Sequence, residues 1–295
     1  MLVMFSLESI FCINVLEKFF KNFFERGIIM QVFAIANQKG GVGKSTTAQN
    51  LAAGLWDYYG KRVLLLDLDP QSNLSQVCGA VTDTQNADVV TILECLVGEA
   101  RLYEGIQQLD KYDIVPASMF LASIDGRLTD PISRSYKLQE SIKGSSKAKE
   151  YDFIIIDTPP ALGTLTANAL TAADRVIIPA QADILSLQGV SQLYATVESV
   201  KEYCNSRLRI AGIIMTRYNE RTRIAQDMNK LFKSAATKMK TKVFETGIRE
   251  NVAIKEAQAS VQDIFSYDKN SNAAKDYLGL IQEIFGYHDS ETEEE

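Results

Sequence analysis

The run Asn37-Gln38-Lys39-Gly40-Gly41-Val42-Gly43-Lys44-Ser45-Thr46-Thr47 places three glycines, two lysines and three hydroxyls in one turn, between an apolar run and an amphipathic stretch. Glycines in such a turn let successive backbone N–H groups point inward and approach phosphate oxygens, in conformations that a Cβ would obstruct. A helix starting near Lys44 adds the positive end of its dipole. In this chemistry Gly40, Gly41, Val42, Gly43, Lys44, Ser45 and Thr46 bind a nucleoside triphosphate, Lys44 reaches the β and γ phosphates, and the Ser45 hydroxyl ligates Mg²⁺. A plain glycine turn is the competing reading, and Gly-Lys-Ser-Thr at the helix start weighs against it. The standard GxxxxGK[ST] pattern has glycine at position 38, where this chain has Gln38 followed by an extra lysine, Lys39.

Acids complete the chemistry. Val63-Leu64-Leu65-Leu66-Asp67-Leu68-Asp69-Pro70-Gln71 runs an apolar strand into two carboxylates at i and i+2, on one side of the chain if the strand continues. Phe153-Ile154-Ile155-Ile156-Asp157-Thr158-Pro159-Pro160 ends a second apolar strand in an acid, the Walker B pattern, in which Asp157 holds Mg²⁺. An aspartate ending a strand can instead cap the next helix. Beside a phosphate loop that alternative loses weight.

Positioning these groups requires strands whose carboxyl ends share one edge. From Gln31 onward, short apolar runs alternate with helix-like stretches, the pattern of an α/β fold: a mostly parallel twisted sheet with helices on both faces. Expected strands are Val32–Ala36, Val63–Asp67, Asp113–Val115, Phe153–Asp157, Arg175–Pro179 and Ile210–Met215. Most are continuously apolar, as strands buried on both faces are. Expected helices are Ser45–Tyr59, Ser133–Ala148, Leu165–Ala173, Gly189–Cys204, Ile224–Lys240 and Asn272–Phe285. No Pro/Gly/Ser-rich linker divides the chain, so a single P-loop domain over residues 30–288 is expected.

Composition adds mainly exclusions. The hydrophobic fraction of 46% and charged fraction of 23% are those of an ordinary globular protein. Cys12, Cys78, Cys95 and Cys204 form no CxxC pair, so neither a zinc site nor a disulfide framework is suggested, and a reducing cytoplasm fits. Of the net charge of -6, the acidic tail 289–295 supplies -5. Residues 1–29 are rich in Phe, Ile and Leu but lack both a signal-peptide charge order and an apolar span of transmembrane length. Three readings stand: an upstream-start artefact with initiation at Met30, an amphipathic helix packing on the domain or a partner, and a membrane-surface helix. The strand pattern beginning directly after Met30 favours the first.

The extra Lys39 marks a deviant Walker A motif, and with it the sequence resembles the ParA/MinD family of P-loop ATPases from Met30 to about Phe285. The resemblance implies that Lys39 crosses a dimer interface to touch the partner's nucleotide, where an added ammonium offsets repulsion between two triphosphates. It also implies that Asp69 orients or activates the attacking water, that Asp67 supports the Mg²⁺ shell, and that Met215 and Thr216 contact adenine.

Within that family several branches fail on inspection. Nitrogenase-iron-protein-like reductases need a cysteine shortly after Walker B and Mrp-type cluster carriers need CxxC, both absent here. A MinD-like membrane helix is replaced by an acidic terminus, which anionic lipid repels, and the tyrosine-rich tail of the bacterial tyrosine kinases is missing. ParA/Soj-like features remain: Asp67-Leu68-Asp69-Pro70-Gln71, Asp157-Thr158-Pro159-Pro160 and Ile248-Arg249-Glu250-Asn251-Val252-Ala253-Ile254-Lys255-Glu256-Ala257. The last departs from the family's form, with Arg249 and Gln258 in place of proline and Ala253 in place of arginine. A DNA contact at 253 is therefore not carried over. Between Arg217 and Lys242, eight basic residues stand against two acids, and phosphate contacts need only such a patch. Arg221 matches a family position for nonspecific DNA binding; Arg223 and Lys255 are added from their place in this sequence. The implied function is ATP-driven DNA partition by a homodimer that forms on ATP binding, binds DNA nonspecifically and answers to a ParB-like centromere-binding partner. Its expected place is the cytoplasm, on the nucleoid, with no membrane partner. The alternative is a MinD-like ATPase positioning a membrane-bound or protein cargo.

Overall fold

The computed structural model describes residues 30–83 and 88–287. Seven strands form one sheet: β1 (Gln31–Ile35), β2 (Val63–Asp67), β3 (Gln107–Gln108), β4 (Asp113–Val115), β5 (Phe153–Asp157), β6 (Arg175–Ala180) and β7 (Arg209–Met215), in the order β3-β4-β2-β5-β1-β6-β7. All pairs are parallel except β3 with β4. Every residue of β2 and β5 is buried, the condition their unbroken apolar sequences meet. The chain winds outward from β1 in both directions, so β1 sits at the topological switch point, where the carboxyl edge of such sheets opens a crevice. Register brings the acids to that edge. Asp67 stands opposite Asp157 across β2 and β5, and Ile35 opposite Asp157 across β1 and β5.

The helix Lys44–Tyr59 leaves this edge and returns along the sheet. Ala48, Leu51, Ala52 and Leu55 are fully buried on it, and Gly60 ends it in the left-handed conformation. Gly54 permits a close crossing of helices: a Cβ there would lie 2.3 Å from Ile281 Cδ1 and 2.8 Å from Phe265 Cε2. The helices Ile264–Asp268 and Asn272–Phe285 pack into that notch, adding Phe265, Tyr277, Leu280 and Ile281 to the core. Burying one such aliphatic or aromatic side chain contributes about 1.5–3 kcal/mol.

At the outer border of β7, the segment 241–248 runs alongside and bridges back, Ile213 with Val243 and Thr216 with Ile248. The opposite border is the two-residue β3, whose Gln107 side chain exchanges two hydrogen bonds with the backbone of Val81, at 2.9 and 2.7 Å.

Six expected strands are present, with β6 reaching Ala180 and β1 ending at Ile35. The expected helix 133–148 contracts to Lys137–Gly144, because Asp130 accepts from the backbone of Ile132 and Ser133 and holds a turn before it. The helix expected from Gly189 begins at Ile184, capped by Asp183. Gly189 is no helix boundary: the would-be Cβ falls 3.1 Å from Asn37 Oδ1, so glycine serves a close approach to the phosphate loop. Short helices Asn73–Val77, Ile92–Val97, Val252–Ala259 and Ile264–Asp268 were not expected from the sequence. Residues 1–29 and 289–295, with their start-site, amphipathic-helix and acidic-tail expectations, lie outside the described residues. Among the described residues no helix is long and apolar enough to cross a membrane.

Candidate active site

The glycine loop follows β1 and feeds the helix at Lys44. Gly41 and Gly43 adopt φ of 72° and 87°, and the space where a Cβ would sit is open at both. Conformation alone therefore demands glycine, since a side chain in the left-handed region costs about 1–2 kcal/mol. The loop is fastened from the strand beside it. Asn37 donates from Nδ2 to Pro179 O at 2.6 Å and accepts the Lys39 N–H at 3.0 Å, while Gln181 Nε2 donates to Gly41 O at 3.0 Å.

Lys44 is buried, 7% exposed, and its Nζ donates to Lys39 O at 3.3 Å. Burial lowers its pKa, opposed by the charges of Asp157 and Asp69. Ser45 Oγ donates to Asp157 Oδ2 at 2.5 Å. Asp157 has no exposure, and its Oδ1 has no hydrogen-bond partner among the described residues. Burial, followed by the neighbouring Asp67, pushes its carboxyl well above the usual range. A buried carboxylate oxygen left free beside a serine hydroxyl is the hard-oxygen environment a Mg²⁺ ion takes.

Asp67 differs. Its Oδ1 accepts Asp69 N–H at 3.0 Å, and its Oδ2 accepts Ser75 N–H at 2.8 Å and Ser75 Oγ–H at 2.7 Å. Both oxygens are thus engaged by protein donors and the side chain is sealed from solvent. Burial, against these hydrogen bonds, raises its carboxyl pKa to about 6. It shapes the turn that carries Asp69, whose Oδ1 accepts Gln71 N–H at 3.0 Å.

Lys39 points away from Lys44. Its Nζ donates to Asp183 Oδ2 at 2.7 Å and to Gln181 Oε1 and Ser186 Oγ, both at 3.3 Å. The two ammonium groups of one loop therefore occupy different settings, Lys44 within the acid cluster and Lys39 on the rim.

On the other side of the loop a cavity is lined by Val42, Gly43, Thr46, Thr216, Ile254 and Gln258, among others. Thr216 lines this cavity, with Oγ1 donating to Val42 O at 2.9 Å. Met215 does not. Its side chain is 2% exposed within the core and its carbonyl accepts the Ile248 N–H at 2.8 Å, because the strand alternation that turns Thr216 to the cavity turns Met215 away.

The basic residues are spread differently. Arg221 and Arg223 are exposed and form no ion pair among the described residues, whereas Lys230, Lys233 and Lys242 pair with Asp227, Glu245 and Glu283. Arg221 lines a surface cleft together with Arg217 and Arg249; Lys255 lies on the cavity beside the phosphate loop with the same two arginines. Arg249 is held by Asp276 through Nε and a 2.5 Å contact from Nη2. Sequence reasoning missed Asn37, Gln181, Asp183 and Ser75. Of these only Asp183 carries a local signal, an aspartate three residues before Ser186 at a strand-to-helix junction.

A strand, glycine loop and helix setting Lys44 and Ser45 against a buried strand-end aspartate define a P-loop nucleoside triphosphatase. Comparison with known proteins narrows this. The AAA domain family matches residues 30–210. The sporulation initiation inhibitor protein Soj of Bacillus subtilis is 39% identical over 261 residues, 86% of this chain and 98% of that protein. The chromosome partitioning protein ParA of Caulobacter vibrioides is 36% identical over 257 residues, 86% of this chain and 94% of that protein. Cobyrinic acid a,c-diamide synthase from Mycobacterium smegmatis, solved with an ATP analog and magnesium, shares the fold at a TM-score of 0.74 and 32% identity, covering 86% of this chain and 93% of that one. The chain belongs to the Soj/ParA family of P-loop ATPases. It is an ATPase that uses Mg²⁺ with ATP.

Proposed function

We propose that this ATPase partitions DNA, the role for which its ParA relative is named, and that it does so as a nucleotide-gated dimer. ATP is held by the backbone N–H groups of Gly40, Gly41, Val42 and Gly43, by Lys44, and by Ser45 and Thr46 at the helix start. Ser45 and Asp157 hold the metal; Asp67, saturated by protein donors, supports that shell by fixing the turn. Mg²⁺ when bound neutralises phosphate charge. Asp69 stands at the end of the turn with one carboxylate oxygen free of hydrogen bonds among the described residues, and orients the attacking water. Thr216 borders the adenine side.

The observation that carries the reading is the division of labour between the two lysines. Lys44 is committed to its own loop, whereas Lys39 sits on the rim with an exchangeable carboxylate partner. On dimerisation Lys39 leaves Asp183 for the neighbouring subunit's nucleotide. Arg221, Arg223 and Lys255 then meet DNA phosphates without reading bases, and a ParB-like partner stimulates hydrolysis and releases the dimer. This places the protein in the cytoplasm, on the nucleoid. Co-sedimentation with DNA under ATP, ADP and no nucleotide, at two salt concentrations, tests the scheme. Binding that needs ATP and weakens with salt is expected; absent or ATP-independent binding overturns it.

A further inference from the structure

Helix Val252–Ala259 places Gln258 on the cavity beside the phosphate loop, where its Nε2 donates to Thr46 Oγ1 at 2.9 Å. Among the described residues this is the one hydrogen bond made by that hydroxyl. The backbone of Thr46 is gripped from the same side of the molecule: its carbonyl accepts Asn50 Nδ2 at 2.8 Å, and Asn50 Oδ1 accepts Ile264 N–H at 2.8 Å. Two C-terminal helices thus reach the phosphate-loop helix, one at the Thr46 hydroxyl and the other at Asn50, whose amide in turn holds the Thr46 carbonyl.

A threonine hydroxyl has one proton and two lone pairs, and a glutamine amide nitrogen can only donate. With the Gln258 N–H occupying a lone pair, the Thr46 proton must be given elsewhere. What stands open to it is the cavity, whose wall on that side is the glycine loop itself, Val42 and Gly43. We propose that Gln258 is a positioning residue that fixes the Thr46 hydroxyl as a donor toward a phosphate oxygen of bound nucleotide, on the nucleoside side of the loop. The proposal rests on the ATP-site reading given above. It concerns this chain's own sequence, because proline, the residue common at this place in the motif, has no side-chain donor.

A donor so placed contacts ATP and ADP alike, because it lies away from the bond that breaks. It therefore strengthens binding without favouring the transition state, and its loss moves KM while leaving kcat. A merely structural role would lower kcat and thermal stability together. The test measures Kd for MgATP and MgADP, with kcat, KM and Tm, on the full chain and on Gln258→Ala, Gln258→Glu, Thr46→Val and Gln258→Ala/Thr46→Val. Gln258→Ala is expected to raise both Kd values about threefold with kcat unchanged, and to have no further effect once Thr46 is valine. Gln258→Glu, whose carboxylate can only accept and so draws the Thr46 proton toward itself, is expected to raise them about tenfold. Wild-type affinity in Gln258→Glu, an effect of Gln258→Ala that persists in the Thr46→Val background, or a loss confined to kcat overturns the proposal. If the wild type binds neither nucleotide, the ATP-site reading itself fails.

Discussion

The phosphate edge and the basic surface around Arg217–Lys255 are built to different tolerances. At the edge the carboxylates are buried and the loop is tied down by side chains: Asp67 accepts three donors, Asn37 joins the loop to β6, and Ser45 meets Asp157 at 2.5 Å. On the basic surface Arg221 and Arg223 stand exposed, and several neighbouring lysines are neutralised by acids from elsewhere in the chain. Chemistry on a triphosphate needs atoms held to a fraction of an ångström. Attraction to a polyanion needs only charge density. The edge should therefore fail abruptly when altered, and the surface by degrees.

The sharpest test is Lys44→Ala, expected to lower kcat about 100- to 1000-fold, read by phosphate release, with the fold retained by circular dichroism. Asp69→Ala should leave an ATP-bound dimer that does not turn over, while Lys39→Ala should bind ATP yet remain monomeric; light scattering with ATP distinguishes them, and two monomeric variants would break the assigned roles. Next comes a pH effect. The Asp67 carboxyl titrates near 6 in the folded chain and near 3.8 when unfolded, so between those values the native state holds a proton that the unfolded chain has lost. Stability without nucleotide should then fall as pH rises from 4 to 6 and level off above, by about 3 kcal/mol at 1.36 kcal/mol per pKa unit. Urea unfolding of the wild type against Asp67→Asn isolates this contribution, and a pH-independent difference would refute it. The smallest effects belong to the surface: Arg221→Ala and Arg223→Ala should each weaken DNA binding a few-fold, equally for all sequences, and reduce the salt slope by about 1. A complete loss from either single change would mean that the surface, too, is a precise site.

The same contrast governs what was legible in sequence. Gly40 to Thr46 could be read because glycine, lysine and serine at fixed spacing have few other uses, and the strands around them because residues such as Leu64, Leu65 and Ile154–Ile156 leave no alternation to mislead. Asn37, Gln181 and Ser75 could not be read, since each acts on a partner brought near only by folding, 142 residues away for Asn37 and Pro179. Met215 and Thr216 are adjacent in sequence, and only the folded sheet shows that the first side chain enters the core while the second lines the cavity. The helix containing Gly189 was cut short because a glycine required for close packing looks, in isolation, like a terminus. Arg221 was singled out by resemblance and Arg223 by its place in a basic stretch, but only the structure separates them from the paired Lys233 and Lys242.

The segment 241–248 that flanks β7 has a bearing on assembly. By occupying that flank it removes the free row of peptide groups through which a second sheet could add itself, and β3 is too short to offer one at the far side. Among the described residues, growth by strand addition is thus disfavoured at both margins. For the dimer proposed above, joining two copies would then be a matter of what the loops at the carboxyl ends of the strands hold, and so of which nucleotide is present.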